Sequence, residues 1–329
     1  MSKNIGLTFD LKSDYQTRHD DPHDISAEFD LAKTVDLIVS TVESLGNKVK
    51  RIGNAKAVLK NLHSLDVDIV FNISEGLEGR NRESQVPMLL EMKDIPYVGS
   101  DALTLGLALD KLMAKKIFLA EGIPTPNYFE VKETGSLADA DHLQFPLMIK
   151  PRFEGSSKGI DSNARVHSFD ELTKRVDYIV NTYRQPALVE EFIKGKEFTV
   201  AIIGNGSPEV FPPVQVKIEG KLDLGEAFYT FGHITSDALE YVCPAPISKQ
   251  LENKLKELAR KVYKAVDCRD FGRVDFRVDE QDNPYVLEIN PLPCLAAEDV
   301  FMIIPKVLGI TYAQMIEKIL NNAFKRYNL

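Results

Sequence analysis

The spacing of apolar residues changes period along the chain, and with it the element each stretch can form. Residues 4–9, NIGLTF, and 68–72, DIVFN, are short apolar runs with polar flanks, which predict strands. Between them, 27–45 carries Phe29, Leu31, Val35, Leu37, Ile38 and Val42 at helical spacing and predicts one amphipathic helix. A strand at 49–52, helices at 55–62 and 85–92 and a short strand opening at Tyr97 continue the alternation. Such alternation predicts a mostly parallel sheet covered by helices. A single helix is expected from 101 to 121. The Ile123-Pro124-Thr125-Pro126 segment after it must be extended, because proline restricts its own backbone and its predecessor's.

Beyond that joint the elements shorten. Residues 147–197 read as strand, Gly/Ser loop, strand, helix, strand. Residues 198–308 read as short strands with one long helix at 249–266, and a last helix is expected at 312–324. The expected fold class is α/β and α+β in three units: an N-terminal α/β layer at 1–105, a small central unit at 106–190 and a larger C-terminal unit at 191–329.

Composition narrows the function classes. The chain has 329 residues, 44 % of them hydrophobic, enough to bury a substantial core. A net charge of −9 argues against a nucleic-acid partner, although it leaves room for a local basic cleft. Cys243, Cys268 and Cys294 are odd in number and far apart, so no disulfide framework is expected and a reducing compartment fits. The first residues lack the apolar stretch of a secretory signal, and no apolar run approaches the roughly 18 residues of a membrane span. A cytoplasmic protein is the expectation. No G-x-G-x-x-G follows the first strand, so dinucleotide binding has no support.

Three segments carry chemistry. In FGRVDFRVDEQDNPYVLEINPLP, residues 271–293, two alternating runs flank a turn and predict a hairpin. Residues two apart share a strand face, which groups Arg273, Asp275 and Arg277 on one strand and Glu288 with Asn290 on the other. If the faces coincide, two carboxylates and an amide converge beside an arginine, a hard-oxygen set suited to Mg²⁺ and phosphate. The second segment delivers Lys150 at the end of a strand and then RFEGSSKGI, whose small residues and hydroxyls can cradle phosphate without being a Walker A loop. The third, ALVEEFIKGKEFTV, is an extended run ending in acids that can meet a purine edge and a ribose.

Taken in order, these motifs resemble the ATP-grasp ligases, and within them the D-alanine–D-alanine ligase family. The resemblance rests on Leu109-Asp110-Lys111, Ile149-Lys150-Pro151 with EGSSKG, Leu188-Val189-Glu190-Glu191, Lys196-Glu197-Phe198-Thr199-Val200, Tyr241-x-Cys243-Pro244-Ala245, Arg273-x-Asp275-Phe276 and Leu287-Glu288-x-Asn290. It implies a three-unit ATP-grasp architecture with a Rossmann-like N-terminal layer. It also implies ATP and two Mg²⁺ ions (or Mn²⁺ in their place), small carboxylate and amine substrates, and a homodimer. By the same resemblance Lys111 and Lys150 contact ATP phosphates, with Ser156 and Ser157 on a flexible lid. Glu190 accepts from the adenine amino group, and Glu191, Phe192 and Ile193 offer backbone to its edge. Glu197 holds the ribose. Asp275, Glu288 and Asn290 bind the metals. Arg273 stabilises the phosphoryl group, and with Ser156 and His233 completes the catalytic set.

Four regions depart from the family. His233 stands where the family has a lid lysine. The glutamate that follows the family's first strand and holds the first alanine's amino group has no clear counterpart; Asp10, Asp14 and Glu28 qualify only by charge. In that loop, HDDPHD at 19–24 reads as a solvated turn rather than a metal site. Residues 75–83, EGLEGRNRE, replace a His-Gly and Gly-Glu-Asp-Gly stretch, making Glu75 and Arg80 substrate candidates. Cys294 and Asp299 stand at or near the family's oxyanion glycine and carboxylate-binding serine. The readings that remain are an amino-acid or D-alanine ligase, a ligase joining an amino acid to another small carboxylate, and a nucleotide-binding protein without catalysis.

Overall fold

The computed structural model describes residues 2–16, 18–133, 143–233 and 236–329. Strands β1 (Asn4–Thr8), β2 (Lys48–Gly53), β3 (Ile69–Asn72) and β4 (Tyr97–Val98) lie parallel in the order β2-β1-β3-β4. Helices α1 (Ala32–Ser44), α2 (Ala55–Asn61) and α3 (Gln85–Glu91) connect them, as the alternation predicts. Helix α1 is shorter than its apolar pattern. Residues 27–31 instead turn back on the first loop: Asp30 N–H donates to Asp10 O at 2.9 Å, and Phe29 stacks on Tyr15 at 4.2 Å. Tertiary contact there overrides local helix preference.

The stretch expected as one helix is two, α4 (Ala102–Leu109) and α5 (Lys111–Ala120), broken at Asp110. Asp110 is extended, with φ −80° and ψ 91°, and its carboxylate accepts the Met113 N–H at 3.2 Å. The same fully buried carboxylate takes two 2.6 Å hydrogen bonds from Arg152. Stranding a buried charge costs about 3–5 kcal/mol, while each helical hydrogen bond contributes about 1 kcal/mol, so the ion pair decides the break.

The central unit is an antiparallel sheet of β5 (Tyr128–Val131), β6 (Leu147–Pro151), β7 (Arg165–Val166) and β8 (Ala187–Glu191) in the order β5-β8-β6-β7. Helix α6 (Phe169–Tyr183) packs Leu172, Val176 and Ile179 on it. The C-terminal sheet runs β12-β11-β9-β13-β14, with β10 beside β9. Its strands are β9 (Lys196–Ile203), β10 (Glu209–Val210), β11 (Val214–Ile218), β12 (Leu239–Val242), β13 (Phe271–Val278) and β14 (Pro284–Asn290). Helix α7 (Lys249–Ala265) covers one face with Leu251, Leu255 and Val262, joined by Phe118 of α5. Helices α8 (Val300–Leu308) and α9 (Tyr312–Tyr327) cover the other; α8 has no counterpart in the sequence reading. Ala201, Ile203, Phe271, Phe301 and Ile316 pack with Ile5, Leu7 and Phe71 in one core, so the first and last sheets are locked together. Among the described residues no single helix is long and apolar enough to cross a membrane.

Candidate active site

The β13–β14 hairpin fixes the centre of the site. Its register pairs Arg273 with Asn290 and Asp275 with Glu288, so all four side chains share one face. Arg273 donates through Nε and Nη2 to both Asp275 oxygens at 3.0 Å. Asn290 Nδ2 donates to Asp275 Oδ2 at 2.9 Å, and Thr199 Oγ1 to Oδ1 at 2.6 Å. Glu288 Oε2 lies 3.0 Å from Lys111 Nζ. Burial alone would raise the Glu288 carboxyl, but Lys111, Lys150 and Arg273 hold it at about 2. It is therefore an anion at any physiological pH.

These donors fit Mg²⁺. Among the described residues no three His, Cys, Asp or Glu side chains form a metal cluster. A Mg²⁺ ion held by the pair Asp275 and Glu288 would need further oxygens, of the kind the Asn290 amide, water and a phosphate supply. That mixed oxygen set is the kind Mg²⁺ prefers. The neighbouring cations that neutralise both carboxylates mark the face as one built for opposite charges.

Two lysines approach this face. Lys111 opens α5 and is held by Glu154 O at 2.6 Å. Lys150, on β6, sits 2.5 Å from Glu190 Oε2. The resemblance has Glu190 accept from an adenine amino group; its carboxylate is 2 % exposed and clamped between Lys150 and Lys115, each at 2.5 Å. In this arrangement Glu190 orients Lys150. Lys115 escaped the sequence reading, although it follows Lys111 by one helical turn. Burial lowers its amine to about 8 against the pull of Glu190, and Thr125 Oγ1 accepts from it at 2.6 Å.

Further along, Glu191 accepts from Asn127 Nδ2 at 2.8 Å and Gln144 N at 3.0 Å. Phe192 packs edge-on to Phe228 at 5.9 Å, and Arg277 lies over its ring at 4.9 Å. Arg277 also donates to Ile193 O at 3.0 Å and to Glu197 Oε2 at 3.2 Å. The hairpin pattern placed Arg277 beside Asp275; cross-strand pairing with Glu197 on β9 directs it to that carboxylate instead. Burial raises the Glu197 carboxyl despite that partner.

The Gly/Ser loop is tied to the N-terminal layer. Ser156 and Ser157 both adopt left-handed backbone, with φ 45° and 56°, a conformation that costs a non-glycine residue about 1 kcal/mol or more. Glu28 accepts from Gly155 N at 2.6 Å and pairs with Lys158 at 2.7 Å. Asp24 accepts from Gly159 N at 2.8 Å and from Tyr183 OH. The 19–24 turn is thus solvated at His19 but not at Asp24, which is 2 % exposed. His233 reaches this loop indirectly. Thr230 N–H donates to its Nδ1 at 3.1 Å, while Phe231 N–H donates to Ile160 O at 3.0 Å.

The substrate candidates divide. Arg80 is half exposed and spends its charge on Asp110 at 2.5 Å. Asp10 anchors its own neighbourhood, accepting from Ser74 Oγ at 2.5 Å and Gly76 N at 2.8 Å, and Asp14 is exposed. Glu28 carries two hydrogen bonds from Arg82, at 2.8 and 2.9 Å. Glu75 stands next to this cluster. Cys294 is exposed, and its Sγ accepts from the Ala296 N–H at 3.4 Å. Asp299 lies 3.8 Å from Arg273 Nη1, and burial raises its carboxyl against the pull of Arg273.

Known proteins share this design. The D-ala D-ala ligase C-terminus family model matches residues 117–321. The chain is 37 % identical to a D-alanine–D-alanine ligase of Carboxydothermus hydrogenoformans, over 88 % of this chain and 91 % of that one. It is 34 % identical to protein y4sG of Sinorhizobium fredii, over 90 % and 88 %. In fold it is similar to the D-alanine–D-alanine ligase from Bacillus anthracis complexed with ATP, with TM-score 0.77, 22 % identity and 98 % of each chain covered. The VanG D-Ala:D-Ser ligase from Enterococcus faecalis gives TM-score 0.74 at 22 % identity, over 98 % and 100 %. The chain therefore belongs to the D-alanine–D-alanine ligase family, ATP-dependent, ADP-forming ligases with the ATP-grasp fold.

Proposed function

We propose that this enzyme joins the carboxylate of an amino acid to an amine, through the residues of the β13–β14 face and the lysines above it. The observation that carries this reading is the cross-strand pair Asp275 and Glu288 with Arg273 and Asn290 beside it. The donor carboxylate attacks the γ-phosphorus of ATP, the bond to the β–γ bridging oxygen breaks, and ADP leaves. The amine nitrogen then attacks the acyl carbon, and the C–O bond to phosphate breaks. Lys111 and Lys150 neutralise phosphate oxygens, which offsets repulsion between two anions. Arg273 stabilises charge on the transferring group and on the tetrahedral centre. Mg²⁺ held by Asp275, Glu288 and Asn290 would polarise the phosphoryl oxygens. Ser156 and Ser157 on the loop exclude water that would hydrolyse the acyl phosphate. Phe192, Ile193 and Glu197 line the base-and-ribose edge.

D-Alanine is the first donor to test, given the names of the relatives. ADP release with Mg²⁺ should be scanned over D- and L-amino acids and small acids, with product mass read in each case. No release with any pair sinks the reading. A cytoplasmic homodimer fits it, with Met88, Met92 and Leu103 as exposed apolar residues of the N-terminal layer; sedimentation velocity tests the dimer.

A further inference from the structure

Three buried charges stand together behind the phosphate face, where two would balance. The carboxylate of Glu190 on β8 gives its two oxygens to different lysines. Oε2 meets Lys150 on β6 and Oε1 meets Lys115 on α5, each at 2.5 Å. All three side chains are buried. One carboxylate needs one cation, and burying a second is costly unless something else holds it. The proposed reaction uses Lys150 and assigns nothing to Lys115.

The two lysines are held differently. Among the described residues Glu190 is the one side-chain partner of the Lys150 amine. The Lys115 amine has further anchors. It donates to Thr125 Oγ1 at 2.6 Å, and that hydroxyl donates in turn to Val286 O on β14 at 2.8 Å. It also lies 5.6 Å from the centre of the Tyr128 ring on β5. Thr125 belongs to the extended joint, where Pro124 O accepts the Val286 N–H at 2.8 Å. Lys115 is thereby tied to the segment that joins the central and C-terminal sheets, whereas the Lys150 amine is tied to a carboxylate alone. Burial first, and Lys150 with it, lower the Lys115 amine, while Glu190 and Glu288 pull it up; at about 8 it is still a cation at neutral pH.

We propose that Lys115 is a positioning residue for ATP: it keeps Glu190 neutralised, so that the Lys150 amine is free to pass from Glu190 to a phosphate. The inference rests on the ligase reading, in which Lys150 meets phosphate. Without Lys115, a phosphate drawing Lys150 away would leave Glu190 a buried anion with no counter-ion, and such a group holds its last cation tightly. With Lys115 in place the transfer leaves one carboxylate with one lysine, and Lys150 brings its charge to the nucleotide.

Steady-state kinetics of Lys115→Met test this. KM for ATP should rise at least tenfold, while KM for the carboxylate donor that releases ADP fastest stays within twofold. Adding Glu190→Gln removes the anion that would retain Lys150, so the double variant should recover at least threefold in KM for ATP; two independent losses would multiply instead. An unchanged KM for ATP in Lys115→Met, an equal rise in both KM values, or a double variant no better than Lys115→Met overturns the assignment. If Lys115→Met does not fold, Lys115→Gln, which keeps a donor for Thr125 and drops the charge, is read in the same way. If no donor releases ADP from wild type, the ligase reading fails, and calorimetry with a non-hydrolysable ATP analogue and Mg²⁺ decides this one. The analogue should bind wild type at least tenfold more tightly than Lys115→Met, with the double variant between them. Equal binding by all three, or none by wild type, overturns it.

Discussion

The phosphate end and the donor end are both crowded with charge, yet only one of them is balanced. On the β13–β14 face Asp275 has Arg273 and Glu288 has Lys111, and on β8 Glu190 has two lysines. At the donor end Glu28 takes Arg82 and Lys158, and Glu75 and Glu83 are left over. The balanced end is suited to trading its own ion pairs for phosphate and metal. At the other end Arg82 and Lys158 are already shared between Glu28 and Glu154, and the difference teaches that burial alone does not secure a carboxyl an ion pair.

The largest effect should come from the balanced end. Glu288→Gln removes the charge that meets both Lys111 and the metal face, and ADP release should fall by about 10³-fold, near 4 kcal/mol in the barrier. Nucleotide binding by calorimetry should persist; unchanged turnover would put the chemistry elsewhere. Next is Glu28→Gln, which leaves the buried Arg82 and Lys158 to share Glu154 and should cost about 3 kcal/mol of stability by thermal denaturation. Because the Glu28 carboxyl sits at about 2 in the fold, below an unfolded value of roughly 4.3, its contribution is present above that value and is lost as pH falls through 2. The deficit of the variant should therefore shrink in strong acid.

Glu83→Gln should have the opposite sign. Burial first, and Glu28 with it, raise the Glu83 carboxyl to about 7 against the pull of Arg82. Its favourable contribution is complete below the unfolded value of roughly 4.3 and is lost as pH rises through 7. The variant should thus be more stable than wild type at pH 8, by roughly 1–3 kcal/mol, and nearly equal at pH 4. A flat difference across pH would give Glu83 a partner and erase the contrast between the two ends. The smallest effect is expected outside both. Lys33→Ala breaks an ion pair with Glu298 whose side chains are 62 % and 69 % exposed, and should change stability by about 0.5 kcal/mol or less.

Much of this was legible in the chain. The alternating runs at 271–278 and 284–290 put Asp275, Glu288 and Asn290 on one face because strand periodicity is strict and the turn between them short. What escaped were side chains whose role depends on a distant partner. Lys115 acts through Glu190 on β8, Arg277 through Glu197 on β9, and Asp24 and Glu28 through the backbone of the Gly/Ser loop more than 120 positions later. Helix 101–121 was misread as continuous for the same reason, since the partner that breaks it, Arg152, is remote in sequence.

The sequence by itself determined the strand–helix order, the hairpin face and the motif set that identifies an ATP-grasp ligase, because periodicity and spacing are local properties of the backbone. Only the tertiary structure decided how the charges are shared. Buried carboxylates must find cations or protons wherever the fold brings them. That accounting gave the Glu190 carboxylate two lysines and tied Glu28 to the loop, and left Glu75 and Glu83 without an ion pair among the described residues.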